Sequence, residues 1–510
     1  MKRPLVLAFD IGTQSTRVML IDQFGNILNK IQKQYEQPYY SQHPGWAEQK
    51  PYVYWETMKQ TCQELAKTSK DDWKDIICVT CTTIRDTCVC LDEFYMPLRD
   101  VIVWLDKRKA SCCKDIPLIN RILFKLVGMQ EAVQLQKEVS YCNWIEENQK
   151  DIWKKTHKFV LLSAFLNYLM TGNLKDSKAS SIGHIPFDNK RGDWMKKNDL
   201  TRCIFNVRDE QMCELTDPGD IIGYITKEAS QCLCVPENTP LIATGSDKGC
   251  ETLGLSVVSE DKAALSFGTT ATIQFMTRKY MEPLPFLPAY SAVLKGFYNP
   301  EIQIYRGFWL ISWFKDQFCE KEKNEAMCKS LIAEDVLNEK MKDVPIGCDG
   351  LLCNPYFTAG VSMPVAKGAF IGLSDMTTKY HIYRSIIEGI NFALYEGKLV
   401  MEKRGRKKIN SLYLAGGGSK SPEICQITAD IFGLPVHTIQ TNEAGALGSA
   451  IVAFTSQKVF NSIQEAIDAM VHVKHVYMPD ASNHKKYMKI YHTQFIKIFS
   501  KLLPLYRKNL

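Results

Sequence analysis

Two aspartates stand at the ends of apolar runs, where a carboxylate can meet a ligand. Asp10 ends the run Leu5-Val6-Leu7-Ala8-Phe9 and precedes a small polar turn, Gly12-Thr13-Gln14-Ser15, with Arg17 close behind. Asp247 follows Leu241-Ile242-Ala243-Thr244 and is flanked by glycines in Gly245-Ser246-Asp247-Lys248-Gly249. In an open α/β sheet, ligands bind at the carboxyl ends of the strands. Asp10 is therefore placed to face a metal ion or a substrate hydroxyl. Gly12 permits a positive φ, and the small hydroxyl residues let backbone N–H groups turn toward an anion. With Arg17 beside it, this concave run of donors suits the phosphates of a nucleotide. Taken alone, the same residues would also make a plain hairpin with a surface aspartate.

Three further segments belong to the same chemistry. The opening pattern returns in Ala263-Ala264-Leu265-Ser266-Phe267-Gly268-Thr269-Thr270-Ala271-Thr272-Ile273, about 250 residues downstream. The run Leu412-Tyr413-Leu414-Ala415 leads into Gly416-Gly417-Gly418-Ser419-Lys420. These glycines let the backbone lie against a flat ligand such as adenine and ribose, and the following helix N-terminus favours anions. The Walker A frame G-x-x-x-x-G-K-[ST] is not met at Lys420. Finally, Thr82-Thr83-Ile84-Arg85-Asp86 puts a polar pair at the end of a β-branched run. Together these are the parts of a phosphoryl-transfer site, which must position groups, spread charge and deprotonate an alcohol.

The elements that hold these residues can be read in outline. Leu5 to Asp22 predicts a hairpin, Ile27 to Gln34 a third strand, Pro51 to Lys67 a helix and Ile76 to Thr83 a buried strand. Cys88 to Asp92 and Val101 to Trp104 predict short strands, and Pro117 to Lys154 is helical in pattern. Phe159 to Leu166 is expected to begin a helix, Cys250 to Gly254 to form one, and Pro422 to Phe432 another, capped by Gly433. Asn442 to Ala450 reads as a tightly packed helix of small residues. The basic run Lys403 to Lys408 is expected to be a solvated loop. Lys486 to Leu503 is expected to be a docked terminal helix stopped by Pro504, and Trp73, Trp153, Trp194 and Trp313 to be core residues. The recurring hairpin predicts a duplicated α/β domain, each copy offering one phosphate-binding hairpin to a shared cleft.

Bulk properties leave this reading room and narrow the alternatives. The 510 residues are 45% hydrophobic and 23% charged, an ordinary globular composition long enough for two domains. A net charge of +7 is small for the length and accommodates an anionic substrate without arguing for nucleic acid. No membrane partner is expected, because the longest apolar run, Phe159 to Met170, is too short to span a bilayer. The start Met-Lys-Arg-Pro runs straight into a strand, so a cytoplasmic protein without a secretory leader is expected. The 18 cysteines include close pairs at Cys78/Cys81, Cys88/Cys90, Cys112/Cys113 and Cys232/Cys234, but no second pair at zinc spacing. They are expected to be free thiols.

On these residues the chain resembles the FGGY carbohydrate kinases of the actin-like/hexokinase-like ATPase superfamily. The most specific element is Gly368-Ala369-Phe370-Ile371-Gly372-Leu373, then His381-Ile382 and Ser385-Ile386-Ile387-Glu388, which fits the family's second signature. The Asp10 hairpin, Gly245-Ser246-Asp247, Gly268-Thr269-Thr270 and Ala415-Gly416-Gly417-Gly418 follow in the family's order. Some positions depart from the pattern. Tyr141 stands where the first signature has Lys, although Trp144-Ile145 and Glu147-Asn148 are kept. Ala359-Gly360-Val361-Ser362 replaces a Gly-Glu-Arg-like stretch. Arg85-Asp86 looks closer to the Arg-Glu pair of glycerol kinases than to the Gln-Met-His of xylulose-type kinases, yet Lys248 stands where glycerol kinases carry Gln.

The resemblance implies two actin-like/ribonuclease H-like domains with a cleft between them, divided as 1–255 and 256–510. It implies an ATP-dependent kinase for a small sugar or polyol, using Mg²⁺ and forming a homodimer or homotetramer. Asp247 would be the general base. Asp10 would orient Mg²⁺ and touch substrate. Arg85, Asp86, Trp104, Asp106 and Lys248 would complete the sugar pocket. Gly12, Thr13, Gln14, Ser15, Arg17, Gly268 and Thr269 would hold phosphates, and Gly416, Gly417 and Ser419 the adenosine. Two rival readings use the same fold: a catalytically silent sugar- or nucleotide-binding regulator, and a chaperone-like ATPase without a small acceptor.

Overall fold

The computed structural model describes residues 3–111, 116–360, 363 and 365–507. The Cys112/Cys113 pair, and Val361 and Ser362 of the departing stretch, lie outside the described residues. The chain forms two compact units. The first comprises the chain up to Gly254, with Tyr290–Tyr298 and Ala444–Val471; the second comprises Leu255–Ala289, Asn299–Glu443 and the chain from His472. The first unit's main boundary falls after Gly254, one residue before the division at 255/256 expected from the sequence, and two later segments return to that unit.

The first unit is built on a sheet of β1 (Leu5–Ile11), β2 (Ser15–Asp22), β3 (Ile27–Gln34), β4 (Ile76–Thr83), β5 (Ile221–Tyr224) and β6 (Pro240–Ile242), in the order β5-β6-β4-β1-β2-β3. The second is built on β7 (Lys262–Phe267), β8 (Ala271–Gln274), β9 (Glu301–Ile304), β10 (Ser411–Gly416), β11 (Val436–Ile439) and β12 (Val473–Tyr477), in the order β9-β8-β7-β10-β11-β12. The wiring is the same in both: an antiparallel three-strand meander whose first strand runs parallel to two later ones, with an antiparallel edge strand beyond them. The units differ at that edge, since β5 precedes its neighbour in sequence and β12 follows its own. The repeated hairpin in the sequence is therefore the visible part of a whole repeated sheet.

Central strands are apolar on both sides because both faces are covered. On one face, Leu7, Phe9 and Ile11 share a core with Tyr54, Trp55 and Met58 of α1 (Pro51–Thr68). The next helices in order are α2 (Asp247–Gly254), α3 (Lys379–Gly405), α4 (Pro422–Phe432) and α5 (Ala444–Ser456). Helix α5 belongs to the first unit, where Ser449 meets Thr80 of β4 with oxygens 3.0 Å apart. Its small residues have a packing reason. A Cβ on Gly448 would lie 1.9 Å from the Cys250 carbonyl, and one on Gly254 would lie 1.9 Å from that of Ala444.

Several local expectations change. Gly12 does not use a positive φ; its N–H closes the turn on the Ser15 carbonyl at 2.9 Å. Phe159 to Leu161 forms a strand, Lys158–Leu161, and the helix starts only at Leu162, because Val160 and its neighbours pair with Cys88–Leu91. The strand after Val101 ends at Ile102. The basic run is not all loop: Lys403, Arg404 and Gly405 end α3, where cations complement the carbonyl end of the helix, and Arg406 caps it at φ 55°. Pro504 lies inside a last helix, Ile498–Arg507, at its seventh position, where it lacks a backbone donor but does not end the helix. The break falls instead at Gln494, after a helix Ala481–Thr493 that buries Tyr487 and Tyr491. Of the four tryptophans expected in the core, Trp153 is buried, while Trp73, Trp194 and Trp313 are half-buried.

Candidate active site

Strand register places Asp10 before any side-chain contact is considered. Asp10 lies opposite Arg17 in the antiparallel β1–β2 pair and opposite Thr82 in the parallel β1–β4 pair. The side chains follow. Arg17 Nη1 donates to Asp10 Oδ2 at 2.9 Å, and Thr82 Oγ1 approaches Asp10 Oδ1 at 3.3 Å. The carboxylate keeps 18% exposure, so it is fixed in direction yet open on one side. In the adjoining turn, Gln14 is exposed and Gly12 and Thr13 are half-buried. The Ser15 hydroxyl is buried and accepts from Gln32 Nε2 of the next strand at 3.0 Å.

Asp247 owes its setting to the start of α2, which begins at Asp247 itself and not at Cys250. A carboxylate in the first turn is favoured by the helix dipole, and its Oδ1 accepts the Lys248 N–H at 2.8 Å. Arg85 reaches it from the end of β4: Nε donates to Ser246 Oγ at 3.1 Å and stands 3.6 Å from Asp247 Oδ1. The Arg85 guanidinium also sits 5.2 Å from the centre of the Tyr290 ring. Asp247 remains 38% exposed, the most open carboxylate of the group. Lys248 turns toward Glu251 at 3.4 Å.

Two residues expected to contact sugar are otherwise occupied. Asp86 has φ 49°, its Oδ1 accepts the His184 N–H at 2.7 Å, and its Oδ2 lies 2.5 Å from His184 Nδ1. Burial opposes a charge on His184, but the Asp86 carboxylate outweighs it and raises the imidazole pKa above its ordinary value. The Asp106 carboxylate is fully buried: it accepts from the Ala47 N–H at 2.6 Å and from Arg108 N, Nε and Nη2, each at 2.8 Å. Its carboxylate is spent on holding its own loop. Arg108 is sandwiched there, 3.9 Å from the Trp46 ring centre and 4.5 Å from that of Trp144, with Glu48 Oε1 at 2.9 Å. What this loop presents is Trp104, whose Nε1 donates to Thr13 Oγ1 at 2.9 Å. Thr13 still has its own hydroxyl proton to give to an anion.

In the second unit, Gly268–Thr270 forms the loop between β7 and β8, matching Gly12–Gln14 in length. The Phe308 N–H binds the Gly268 carbonyl at 3.1 Å. Beside it, β10 ends at Gly416, with φ 87° and ψ −177°, a conformation that requires glycine. A Cβ there would lie 2.7 Å from the Phe267 carbonyl group, and one on Gly418 would lie 2.5 Å from the Phe308 ring, whereas one on Gly417 meets nothing nearer than 4.0 Å. Phe267 and Phe308 stack at 4.3 Å beneath this turn. The Ser419 hydroxyl donates to the Gly416 carbonyl at 2.7 Å, and Ser421 caps α4 by accepting the Ile424 N–H at 3.2 Å.

The residues present fit the expected ligands. The glycine turn is pressed against Phe267 of the neighbouring strand β7 and leaves the backbone at Gly417 bare, which suits a planar nucleoside. Magnesium is commonly held by one or two carboxylates together with phosphate oxygens and water. Asp10 would be such a carboxylate, and the described residues hold no group of three or more His, Cys, Asp or Glu that would bind an ion unaided. Sequence reasoning missed Thr82, Ser246, His184, Tyr290 and Gly418. Gly418, Ser246 and Thr82 lie within runs the sequence singles out, as the third glycine of its run, the neighbour of Asp247 and the start of the Arg85-Asp86 run, whereas His184 and Tyr290 come from distant segments.

The chain thus has a duplicated α/β fold, with a short polar hairpin turn in each unit and a carboxylate at a helix start. Residues 5–254 match the N-terminal domain of the FGGY family of carbohydrate kinases, and residues 263–456 match its C-terminal domain. The chain belongs to the FGGY carbohydrate kinases and is a sugar kinase, a phosphotransferase with an alcohol acceptor. A xylulose kinase from Staphylococcus epidermidis is 27% identical over 499 residues, 96% of either chain. A gluconate kinase structure from Lactobacillus acidophilus superposes with TM-score 0.83 at 21% identity, covering 100% of both chains. A Plasmodium falciparum glycerol kinase with ADP gives TM-score 0.77 at 20% identity, covering 96% of this chain and 97% of the other. Kinases of this family use ATP as phosphate donor, typically with Mg²⁺. No helix among the described residues is long and apolar enough to cross a membrane.

Proposed function

We propose that this enzyme is a cytoplasmic kinase that transfers the γ-phosphate of ATP to a hydroxyl of a small sugar or polyol, with Asp247 as general base. The acceptor would be a ketose such as xylulose or ribulose, or a glycerol-like polyol. The supporting observation is the Asp247–Arg85 pair: an accessible carboxylate at the start of α2, with a guanidinium 3.6 Å away that is itself anchored by Ser246. A carboxylate is a sufficient base here, because the proton leaves as the new O–P bond forms. Arg85 sets a positive charge beside Asp247 and, in this reading, a donor toward a substrate oxygen.

Asp10 carries the magnesium role in this reading, and the ion when bound neutralises charge on the phosphates. The Thr13 hydroxyl, Arg17 and the Gly12–Gln14 turn hold phosphate oxygens on the first unit, and Gly268 and Thr269 do so on the second. Gly416, Gly417 and Ser419 take the adenosine. Trp104 supplies an apolar wall to the acceptor, and Asp106 acts through Arg108 and the loop rather than by contact.

The test is ADP release with Mg-ATP against xylulose, ribulose, gluconate, glycerol and erythritol. One acceptor should be strongly preferred. Asp247→Asn should lower kcat on it by about 10²–10⁴-fold, with the melting temperature unchanged. Full activity in that variant would mean another group takes the proton.

A further inference from the structure

The polar corner beside Arg85 is not the carboxylate corner that the sequence displays. Both Asp86 oxygens are engaged by one residue, His184, through its N–H at 2.7 Å and its Nδ1 at 2.5 Å. The clamp is closed from the other side as well, since the Asp86 N–H donates to the Ile182 carbonyl at 3.0 Å. Residues 182–184 and Asp86 are thus locked together at three points, with Asp86 in the left-handed region at φ 49°. A non-glycine residue held there costs free energy that the surrounding bonds must offset, and such strain gathers at ligand sites. With Nδ1 committed, the imidazole has one remaining polar atom, Nε2, and none of the described residues bonds to it. The side chain keeps 28% exposure, twice that of Asp86 at 14%.

We propose that His184 is a specificity-determining residue of the kinase: held by Asp86, it presents Nε2 to a hydroxyl of the acceptor, so that this corner recognises substrate through an imidazole and not through a carboxylate. The proposal rests on the reading of the Arg85–Asp247 region as the acceptor site. Its chemical consequence is a change of polarity. A carboxylate can only accept a hydrogen bond from a substrate hydroxyl. An imidazole bonded at Nδ1 to a carboxylate carries its proton on Nδ1 and can accept at Nε2, and once protonated it donates there. The Asp86 carboxylate raises the His184 pKa above its ordinary value, which favours donation from Nε2 to the oxygen of that hydroxyl. Asp86 is then a positioning residue that fixes the ring and its charge.

The experiment uses the full-length enzyme and whichever acceptor of the panel wild type phosphorylates fastest. His184→Asn keeps a group at the Nδ1 position for Asp86 and removes Nε2, whereas His184→Gln places an amide near the Nε2 position. His184→Asn should raise the acceptor KM about tenfold or more, as for loss of one hydrogen bond to a polar substrate, with the KM for ATP unchanged. His184→Gln should recover part of that loss. A merely structural role would instead move the KM for ATP and the melting temperature along with the acceptor KM. An unchanged acceptor KM in His184→Asn overturns the proposal, as does a variant that falls equally for both substrates. Failure of wild type on every ketose, aldonate and polyol would sink the acceptor-site reading itself, and this inference with it; the wild-type arm alone reports that outcome.

Discussion

Asp10 and Arg17 face each other directly across the first hairpin, with Arg17 Nη1 2.9 Å from Asp10 Oδ2. The pairing fixes the carboxylate without burying it, since the neighbouring Thr82 holds the other oxygen and 18% of the side chain stays exposed. A pair this accessible contributes little stability, so it is better understood as orienting a reactive group. Asp10→Asn should lower kcat at least a hundredfold while the melting temperature stays within about 2 °C of wild type. Steady-state kinetics and a thermal melt check both halves, and loss of stability with retained kcat would reverse the assignment.

The glycine turn offers an internal comparison. Gly416 and Gly418 are required by geometry, and Gly417 is not. Gly416→Ala and Gly418→Ala should each destabilise by about 2–4 kcal/mol through strain and overpacking. Gly417→Ala should fold normally, within about 0.5 kcal/mol of wild type. Any rise in its KM for ATP then reports contact with the nucleotide, free of a folding defect. Denaturant titration and ATP kinetics on the three variants separate these outcomes. Equal stability of all three would show that the turn relaxes.

How much of this was legible in the sequence depends on the range of the interaction. The hairpins and the β1–β2 pairing are local, so apolar runs, turn residues and spacing were enough to place Asp10 and Arg17 on facing strands and Asp247 just after a strand, although the helix start was expected three residues late, at Cys250. The duplication was legible because a repeated hairpin is a repeated local pattern. What spends the Asp86 and Asp106 carboxylates was not legible. His184 lies 98 positions from Asp86, and the Trp46 and Trp144 rings that sandwich Arg108 come from separate segments. The sequence displays an acid, and only the packing says whether it is spent. The same limit applies to α5, whose small residues announced close packing but not that it joins the first unit.

Arg108 and Asp106 make the next distinction testable. The Arg108 guanidinium is about as buried as the Asp106 carboxylate it neutralises, at 1% and 0% exposure, with Glu48 on its far side. Removing the cation leaves two buried carboxylates with one partner fewer. Arg108→Met should cost about 3–5 kcal/mol and release the Trp104–Thr13 contact, raising the acceptor KM as a secondary effect. Urea denaturation checks the first part. A loss below about 1 kcal/mol would mean that water enters and solvates the carboxylates.

Asp176 carries a pH prediction. It is buried, with Ser163 Oγ 2.5 Å from its Oδ2 and the Ser177 N–H donating to its Oδ1 at 2.8 Å, and burial raises its pKa to about 7 from 3.8, against the opposing pull of those two bonds. The folded-state value is the higher one, so between these limits the unfolded chain releases this proton more readily than the folded chain does. The contribution of Asp176 to stability is therefore fully present below about pH 4 and is lost as pH rises to about 7, a change on the order of 4 kcal/mol. Asp176→Asn cannot ionise and keeps an acceptor for Ser177. Its stability relative to wild type should rise by a few kcal/mol between about pH 4 and about pH 8, read by denaturant titration at each pH. A constant difference would mean that the two hydrogen bonds hold the carboxylate ionised in the folded chain.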